Sequence, residues 1–397
     1  MGKAWRRPSC CRSRSPPAAR PRRHSRPVRG ARWAAGAAVT PRIGGGGPAG
    51  AAGPMLPRVT DPVATAAPAS HNAAPWSQSP AALREPFRAD LTRLVQRLWP
   101  GARPTSIRRL RGGITSRVHS VSVRAPGGAL ERLVLRRYVS GRFHSDPATA
   151  RGEFRTLAVL AERAIAAPRP VWLDAIGTHF GAPAMLISRL PGRPRMRAGD
   201  DPAGWLAGLA EPLVAIHAIT PANADLSHLG SNLRPGMAAE LARGLRPDLI
   251  GDARGERAFA LLVARIGEIE TDRPALVHDD YFPANVLWYR GRVSGVVDWQ
   301  TGEIGDPRAD VAQLRLDLAM MHGPDLAAAF EDAYHAAGGR RLEQLWFFDL
   351  FRGHRALATY ATWLAGYHDL GLTEITPAVA GARLAAFLDR ALERAGA

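Results

Sequence analysis

Apolar positions take up a helical spacing from about Ala81, where Leu83, Phe87, Leu91, Leu94, Val95 and Leu98 share one face before Pro100 and Gly101 end the period. Three extended runs follow, Ser106 to Leu110, Val118 to Val123 and Leu133 to Tyr138, and the turn Pro126-Gly127-Gly128 makes the second and third a hairpin. A helical period then covers about Pro147 to Ala164, with Phe154, Leu157, Leu160 and Ala161 on one face. Two more extended runs, Pro170 to Leu173 and Pro183 to Ile187, lead to Leu190-Pro191-Gly192, which reads as a hinge. Beyond it the period is helical around Pro202–Ile219, Ala238–Ala242, Ala253–Ile269, Ala309–Met320, Asp325–Ala337, Leu342–Tyr367 and Pro377–Ala395. The pattern predicts an α+β chain of two lobes, first a small antiparallel sheet with one helix, then a larger, mostly helical part.

Residues 1 to about 80 have no apolar period and are rich in Arg, Pro, Ala, Gly and Ser. They are expected to be disordered, because they cannot bury enough surface to offset the entropy of ordering. The expected division is a disordered basic tail over 1–80, an N-lobe over 81–190 and a helical C-lobe over 191–397. The Arg- and Ser-rich, acid-free start also resembles an organellar transit peptide and could touch nucleic acid nonspecifically. Alternatively, translation begins at Met55.

The formal charge of +18 belongs mostly to that tail, since residues 1–60 hold 13 of the 53 basic residues and no acid. Residues 61–397 carry only +5, so no specific nucleic-acid partner is expected. Lys3 is the only lysine, which excludes a P-loop and means that any cation handling a nucleotide is an arginine. Cys10 and Cys11 are adjacent in the tail and give no metal or redox spacing. No apolar run approaches the roughly 20 residues of a membrane span, and Trp33 to Val39 is too short for a secretory core. The expected location is the cytoplasm, with no membrane partner.

The chemistry is concentrated between Leu276 and Asp310. His278, Asp280 and Asn285 satisfy H-x-D-x-x-x-x-N, and Asp298 follows a hairpin formed by Val286–Tyr289, the turn Arg290-Gly291-Arg292, and Val293–Val297. Phosphoryl transfer needs a carboxylate beside the attacking hydroxyl and oxygen ligands for Mg2+ across the phosphates, a set that one Asp–Asn loop and a returning Asp can supply. With 12 His, 21 Asp and four Asn in the chain, a chance match to the three fixed letters is expected about 0.006 times.

This segment resembles the catalytic core of the aminoglycoside phosphotransferase and choline kinase-like family, whose usual form is H-G-D-x-x-x-x-N, an apolar hairpin, then D-W or D-F. Here D-W is Asp298-Trp299. Gly305-Asp306-Pro307 and Asp310 match the family's G-D-P-x-x-D, where the first Asp is expected to cap the next helix and the second to brace the loop. The resemblance covers about Leu110 to Leu370 and is strongest from Leu276 to Ala312. It implies a two-lobed protein-kinase-like fold, ATP or GTP with Mg2+ between the lobes, and a small-molecule hydroxylated acceptor over the helical one. Asp280 is then the catalytic base, and Asn285 and Asp298 the metal ligands. Upstream, Leu110-Arg111-Gly112-Gly113-Ile114-Thr115-Ser116 resembles the family's glycine loop, which places Gly112, Gly113 and Ser116 at the phosphates. Val134-Leu135-Arg136 matches the strand of the phosphate-gripping cation, and Glu153 the carboxylate that pairs with it.

Two positions depart from the pattern. Arginine stands where protein kinases have lysine, and strand alternation lets only one of Arg136 and Arg137 reach the nucleotide, Arg136 by alignment and Arg137 then at the solvated surface. Asp279 replaces the family glycine, and its carboxylate either faces solvent or raises the pKa of Asp280, for which an ordinary carboxylate value would suffice. His278 is expected to be a buried hydrogen-bonding residue, and His217 and His354 satisfied helix histidines. Alternative readings are a kinase-like nucleotide-binding protein without turnover and an HD-type phosphohydrolase using His278-Asp279 and Asp298, with His228 as a further ligand. From Val311 to Ala397 ten acids and eight arginines interleave, so the acceptor is expected to be neutral or modestly charged unless Asp317, Asp325 and Glu331 converge.

Overall fold

The computed structural model describes residues 86, 88–110, 116–139, 147–163, 165–246, 249, 251–270 and 274–396. They all fall in the second of two units into which the chain divides, Ala52–Ala397. The expectation for residues 1–80 lies outside the described residues, as do Leu83 and Phe87 of the first helical face.

Helix α1 (Arg88–Leu98) buries Leu91, Leu94 and Val95, the stripe its spacing predicts. Strands β1 (Arg103–Arg109), β2 (Ser116–Arg124), β3 (Leu130–Tyr138), β4 (Pro170–Asp174) and β5 (Ala184–Ser188) form one antiparallel sheet in the order β1-β2-β3-β5-β4, with helix α2 (Pro147–Glu162) between β3 and β4 in sequence. Alternation along each strand sends neighbouring side chains to opposite faces. Leu186 of β5, with Val121, Val123, Leu133, Leu135 and Trp172, packs under α1. Met185 and Ile187 of the same strand join Leu157 and Leu160 of α2 and the core of the helical part.

The remaining elements in chain order are β6 (Arg193–Pro194), α3 (Pro202–His217), β7 (Ser231–Asn232), α4 (Arg234–Leu241), α5 (Ala253–Arg265), β8 (Ala275–Val277), β9 (Val286–Tyr289), β10 (Arg292–Val296), β11 (Glu303–Gly305), α6 (Pro307–His322), α7 (Pro324–Ala336), α8 (Leu345–Leu357), α9 (Tyr360–Asp369) and α10 (Pro377–Arg394). The fold is α+β, with a five-stranded antiparallel sheet and two helices, α1 and α2, followed by the mostly helical part that the pattern predicts, which also carries two three-stranded sheets, β10-β9-β6 and β7-β11-β8. Helix α6 is covered on nearly every side, and its N-cap is Asp306, whose carboxylate accepts from the Arg308 amide at 2.9 Å. No helix among the described residues is long and apolar enough to cross a membrane.

Three local expectations change. The long period over Leu342–Tyr367 is two helices, because the backbone leaves helical space at Thr359 (φ −129°) and Thr359 Oγ1 bonds back to the Arg355 carbonyl. Arg137 is buried, not solvated, since alternation puts it on the face of Leu133 and Leu135, which packs under α1. The hinge is pinned: Ser294 Oγ donates to the Pro191 carbonyl at 2.5 Å, and β6 pairs with β9.

Gly295, in β10, carries a close backbone approach. Its φ is +151°, the Val296 amide reaches the Ala166 carbonyl at 2.8 Å, and a Cβ on Gly295 would sit 2.5 Å from that same oxygen. Gly295→Ala should therefore destabilise the protein by about 1–3 kcal/mol through overpacking and a disfavoured φ. Urea unfolding of the two proteins measures it, and equal midpoints would show that the contact can relax.

Candidate functional site

The loop that follows β8 is held from below by Asp310, a fully buried carboxylate in the first turn of α6. Its two oxygens accept the amides of His278 and Asp279, each at 2.7 Å, and Oδ2 also meets His217 Nε2 at 3.2 Å. Burial alone would raise the Asp310 carboxyl, but His217, His278 and the backbone amide hold it below its ordinary value. The expected bracing role of Asp310 is borne out. His278 is buried as expected, its Nε2–H donating to the Val297 carbonyl at 3.0 Å. His217, between Asp310 and the Tyr334 hydroxyl at 2.8 Å, is likewise satisfied.

Asp280 and Asn285 face each other across this loop. Asn285 Nδ2 donates to the Asp280 carbonyl at 2.9 Å and to Asp280 Oδ2 at 3.2 Å, which fixes the amide through its nitrogen. The loop is stitched to β10 by the Val297 amide, which donates to the Asn285 carbonyl at 2.9 Å. Asp280 is half-buried, and its carboxyl is pushed up to about 8 by desolvation first, then by the charges of Asp298, Asp317 and Asp279. The value is not the ordinary one the motif alone suggests, because four carboxylates crowd one site.

Asp298, returned by the β9–β10 hairpin, adopts a left-handed backbone (φ 72°) that turns its side chain across to the sheet. Arg136 of β3 reaches it at 2.6 Å with Nη2, while Nη1 meets Glu153 of α2 at 3.1 Å. Burial alone would lower the Arg136 pKa, yet Asp298 and Glu153 hold the guanidinium above its ordinary value and so fully charged. Glu153 is raised by burial despite Arg136, and it also accepts the Trp299 amide and the Tyr138 hydroxyl, the latter at 2.6 Å.

The structure thus brings together Asp280, Asn285, Asp298, Arg136 and Glu153. Ser116 is buried at the start of β2, opposite Tyr138, whereas Gly112 and Gly113 lie outside the described residues. Sequence reasoning missed Gln300, whose Oε1 accepts from Arg136 at 2.6 Å, and Tyr138; the latter stands two residues from Arg136 on the same strand face, a signal that was present. Asp317, considered only with Asp325 and Glu331, instead acts on Asp280; its oxygens accept from Gln313 and Tyr367 at 2.9 Å, and burial raises its carboxyl to about 6. Asp279 does not face solvent freely: it forms an ion pair with the buried Arg352, and its charge adds to the rise of Asp280, the other outcome expected for it.

An amide oxygen and carboxylates are the donors of a hard divalent cation, and Asn285, with Nδ2 committed to Asp280, has its carbonyl Oδ1 to offer beside Asp298. The HD-type reading loses support. No group of three or more His, Cys, Asp or Glu among the described residues could hold a metal, and His228 Nε2 sits 3.1 Å from Thr156 Oγ1 instead.

The profile of the family described as "Phosphotransferase enzyme family" matches residues 106–345. Over 149 residues the chain is 32% identical to viomycin phosphotransferase of Streptomyces vinaceus, covering 33% of this chain and 49% of that protein, so it spans about half the length of that curated relative. The fold resembles a Ralstonia eutropha protein described as an aminoglycoside phosphotransferase (TM-score 0.55, 16% identity, 77% of this chain and 97% of that one). It also resembles a thermostable mutant of aminoglycoside phosphotransferase APH(4)-Ia in ternary complex with ADP and hygromycin B (TM-score 0.52, 19% identity, 76% and 98%). At these identities the two structures show the fold alone.

The raised Asp280 carboxyl has a consequence for stability. A carboxyl whose folded pKa lies above its ordinary 3.8 costs nothing below that value, and the protein loses stability as pH rises through the folded value near 8. Asp280→Asn removes the cost. Without nucleotide or metal, the melting temperature of the variant should gain on that of the parent between about pH 5 and about pH 8.5. Scanning fluorimetry at both pH values tests this, and a variant–parent difference independent of pH would contradict it.

Proposed function

This chain belongs to the phosphotransferase enzyme family, and from that membership we propose that it transfers the terminal phosphoryl group of ATP or GTP to a hydroxyl of a small molecule. In this reading Asp280 is the catalytic base, and Asn285 and Asp298 hold Mg2+. Arg136, fixed by Glu153, grips the phosphates from an N-lobe over 81–190, together with Gly112, Gly113 and Ser116, while a C-lobe over 191–397 carries the acceptor. A cytoplasmic location, where nucleoside triphosphates are abundant, belongs to the same reading.

The observation that carries it is the meeting of three distant segments. Asp298 contacts Arg136, 162 residues away in sequence, and its charge reaches Asp280 on the neighbouring loop. When bound, the nucleotide–Mg2+ pair supplies the phosphoryl group and neutralises its developing charge. Arg136 keeps its proton at any working pH and presents a fixed cation, held at one end by Glu153. Asp280 orients the acceptor hydroxyl and takes its proton late, and it ionises more readily once Asp298 is engaged by a cation. The ADP complex of the similar fold supports a nucleotide donor.

Asp280→Asn should abolish turnover, by about 100-fold or more, while nucleotide affinity changes little, because the base is lost and the shape kept. Asp298→Ala should instead weaken Mg-nucleotide binding. Calorimetric titration together with an ADP-release assay separates the two effects. Substantial turnover in the Asn variant sinks the role of Asp280, and tight nucleotide binding by a parent without turnover on any hydroxylated acceptor favours a binding protein.

The acceptor is a neutral or modestly charged hydroxylated molecule. Asp317, Asp325 and Glu331 do not converge on one another: Asp325 pairs with Arg390, Glu331 with Arg315 and Arg394, and Asp317 lies in the field of Arg352. A polycation would meet Asp325 and Glu331 already paired with arginine, and Asp317 buried and hydrogen-bonded by Gln313 and Tyr367. Steady-state kinetics with kanamycin-like compounds should show poor substrates; micromolar KM with turnover of about a few per second, in the usual enzyme range, would overturn this.

A further inference from the structure

Asp279 stands next to Asp280, and its φ of 61° places a side-chain-bearing residue in the left-handed region that favours glycine. A conformation of this kind persists only where its surroundings hold it. Two holds are present. From one side, Asp310 accepts the Asp279 amide at 2.7 Å, so the main chain is fixed on the α6 side. From the other, the Asp279 carboxylate takes a short bond from Arg352 Nη2 on α8. Arg352 is nearly buried, with 8% of its side chain exposed against 22% for Asp279, so its charge needs a partner and cannot turn to water.

Arg352 is also placed electrostatically. Asp279, Asp310 and Glu303 all stabilise its charge, and its charge in turn acts on Asp317, one of the carboxylates that crowd Asp280. The cation therefore offsets the carboxylate that Asp279 adds at the site. Helix α8 buries Phe347, Phe348 and Phe351 in the helical core, which makes it a firm base for such a hold.

We propose that Arg352 and Asp279 act as a positioning pair, which clamps the left-handed turn of the loop to α8 and so holds, with an aspartate in place, the turn that glycine adopts without strain and that sets the carboxylate of Asp280. The proposal deepens the phosphotransferase reading and rests on it for its kinetic part. Neither residue touches the reacting atoms; both act through Asp280.

Four variants test it: Arg352→Met, Asp279→Gly, the two combined, and Arg352→Lys. Arg352→Met strands a carboxylate beside Asp280, and Asp279→Gly strands a buried guanidinium. The combined variant strands neither and suits the turn. Arg352→Met should lower kcat by about ten- to a hundredfold, the scale of a displaced catalytic group, with the nucleotide KM within about threefold of the parent. The combined variant should recover most of that loss, and Arg352→Lys should recover part of it. Equal falls in kcat for the single and combined variants, or a rise in nucleotide KM that accounts for the whole effect, would overturn the pair.

Parent turnover in the same assay keeps this test separate from the functional reading. If the parent transfers no phosphoryl group, that reading fails, and the clamp is still judged by hydrogen exchange of the peptide spanning 278–285. Exchange there should speed up in Arg352→Met, with peptides of α8 unchanged, and slow again in the combined variant. Unchanged exchange in that peptide, or faster exchange throughout α8, would reject the clamp.

Discussion

One buried carboxylate organises the helical part around the site. Asp310 meets two amides of the loop after β8 and the imidazole of His217 in α3, while the far nitrogen of that imidazole faces Tyr334 of α7. Loop, α3 and α6 thus share a single acceptor, and α7 joins them through His217. Its place in the first turn of α6 adds the favourable field of a helix N-terminus. Each stranded amide would cost about 1–3 kcal/mol if that acceptor were lost, so loop geometry and helix packing cannot be altered independently. The cap by Asp306, four residues earlier, sets where α6 begins and hence where Asp310 points.

The site above Asp310 is short of positive charge. Asp279, Asp298 and Asp317 all act on Asp280, and two buried arginines flank the group, Arg136 from the sheet and Arg352 from α8. Arg136 is shared among Glu153, Asp298 and Gln300, and Arg352 is committed to Asp279. What is left uncompensated falls on Asp280, whose raised carboxyl is the visible sign of it. A site of this kind favours a bound cation for the same reason that it disfavours a second ionised acid.

The legible part of this arrangement is local. Asp280 and Asn285 share one loop, Asp298 follows one hairpin, and Asp306 and Asp310 sit at fixed offsets at a helix start, so spacing alone reveals them. The five strands and α2 were legible because alternation and helical period separate cleanly there. Arg352 was not, since nothing in sequence joins it to Asp279 across 73 positions, and only the packing of α8 brings it there. Arg137 was misread because alternation predicts two faces but not whether both are covered. The break at Thr359 was hidden for a related reason: apolar spacing continues through a bend that a backbone bond from a threonine makes.

The charge of the chain gains meaning once it is divided by structure. Residues 81–190 hold 19 arginines and seven acids, whereas residues 191–397 hold 21 arginines and 27 acids. The mild net charge of the folded region therefore conceals opposite signs on its two parts. Register places the exposed Arg108 on the same sheet face as Arg136, because Arg108 faces Ser120, Ser120 faces Val134, and Val118 faces Arg136. That face draws polyphosphate, whereas the Asp280–Asp298 side repels a bare polyanion and draws a divalent cation. In the phosphotransferase reading proposed above, this field would select a nucleotide already paired with its cation over either one alone. It acts on the donor only, since the outlying acids of the helical part, Asp325, Glu331 and Asp349, are matched by arginines. In the proposed reading, recognition of the acceptor would then fall to shape and hydrogen bonding, which suits a substrate of little charge.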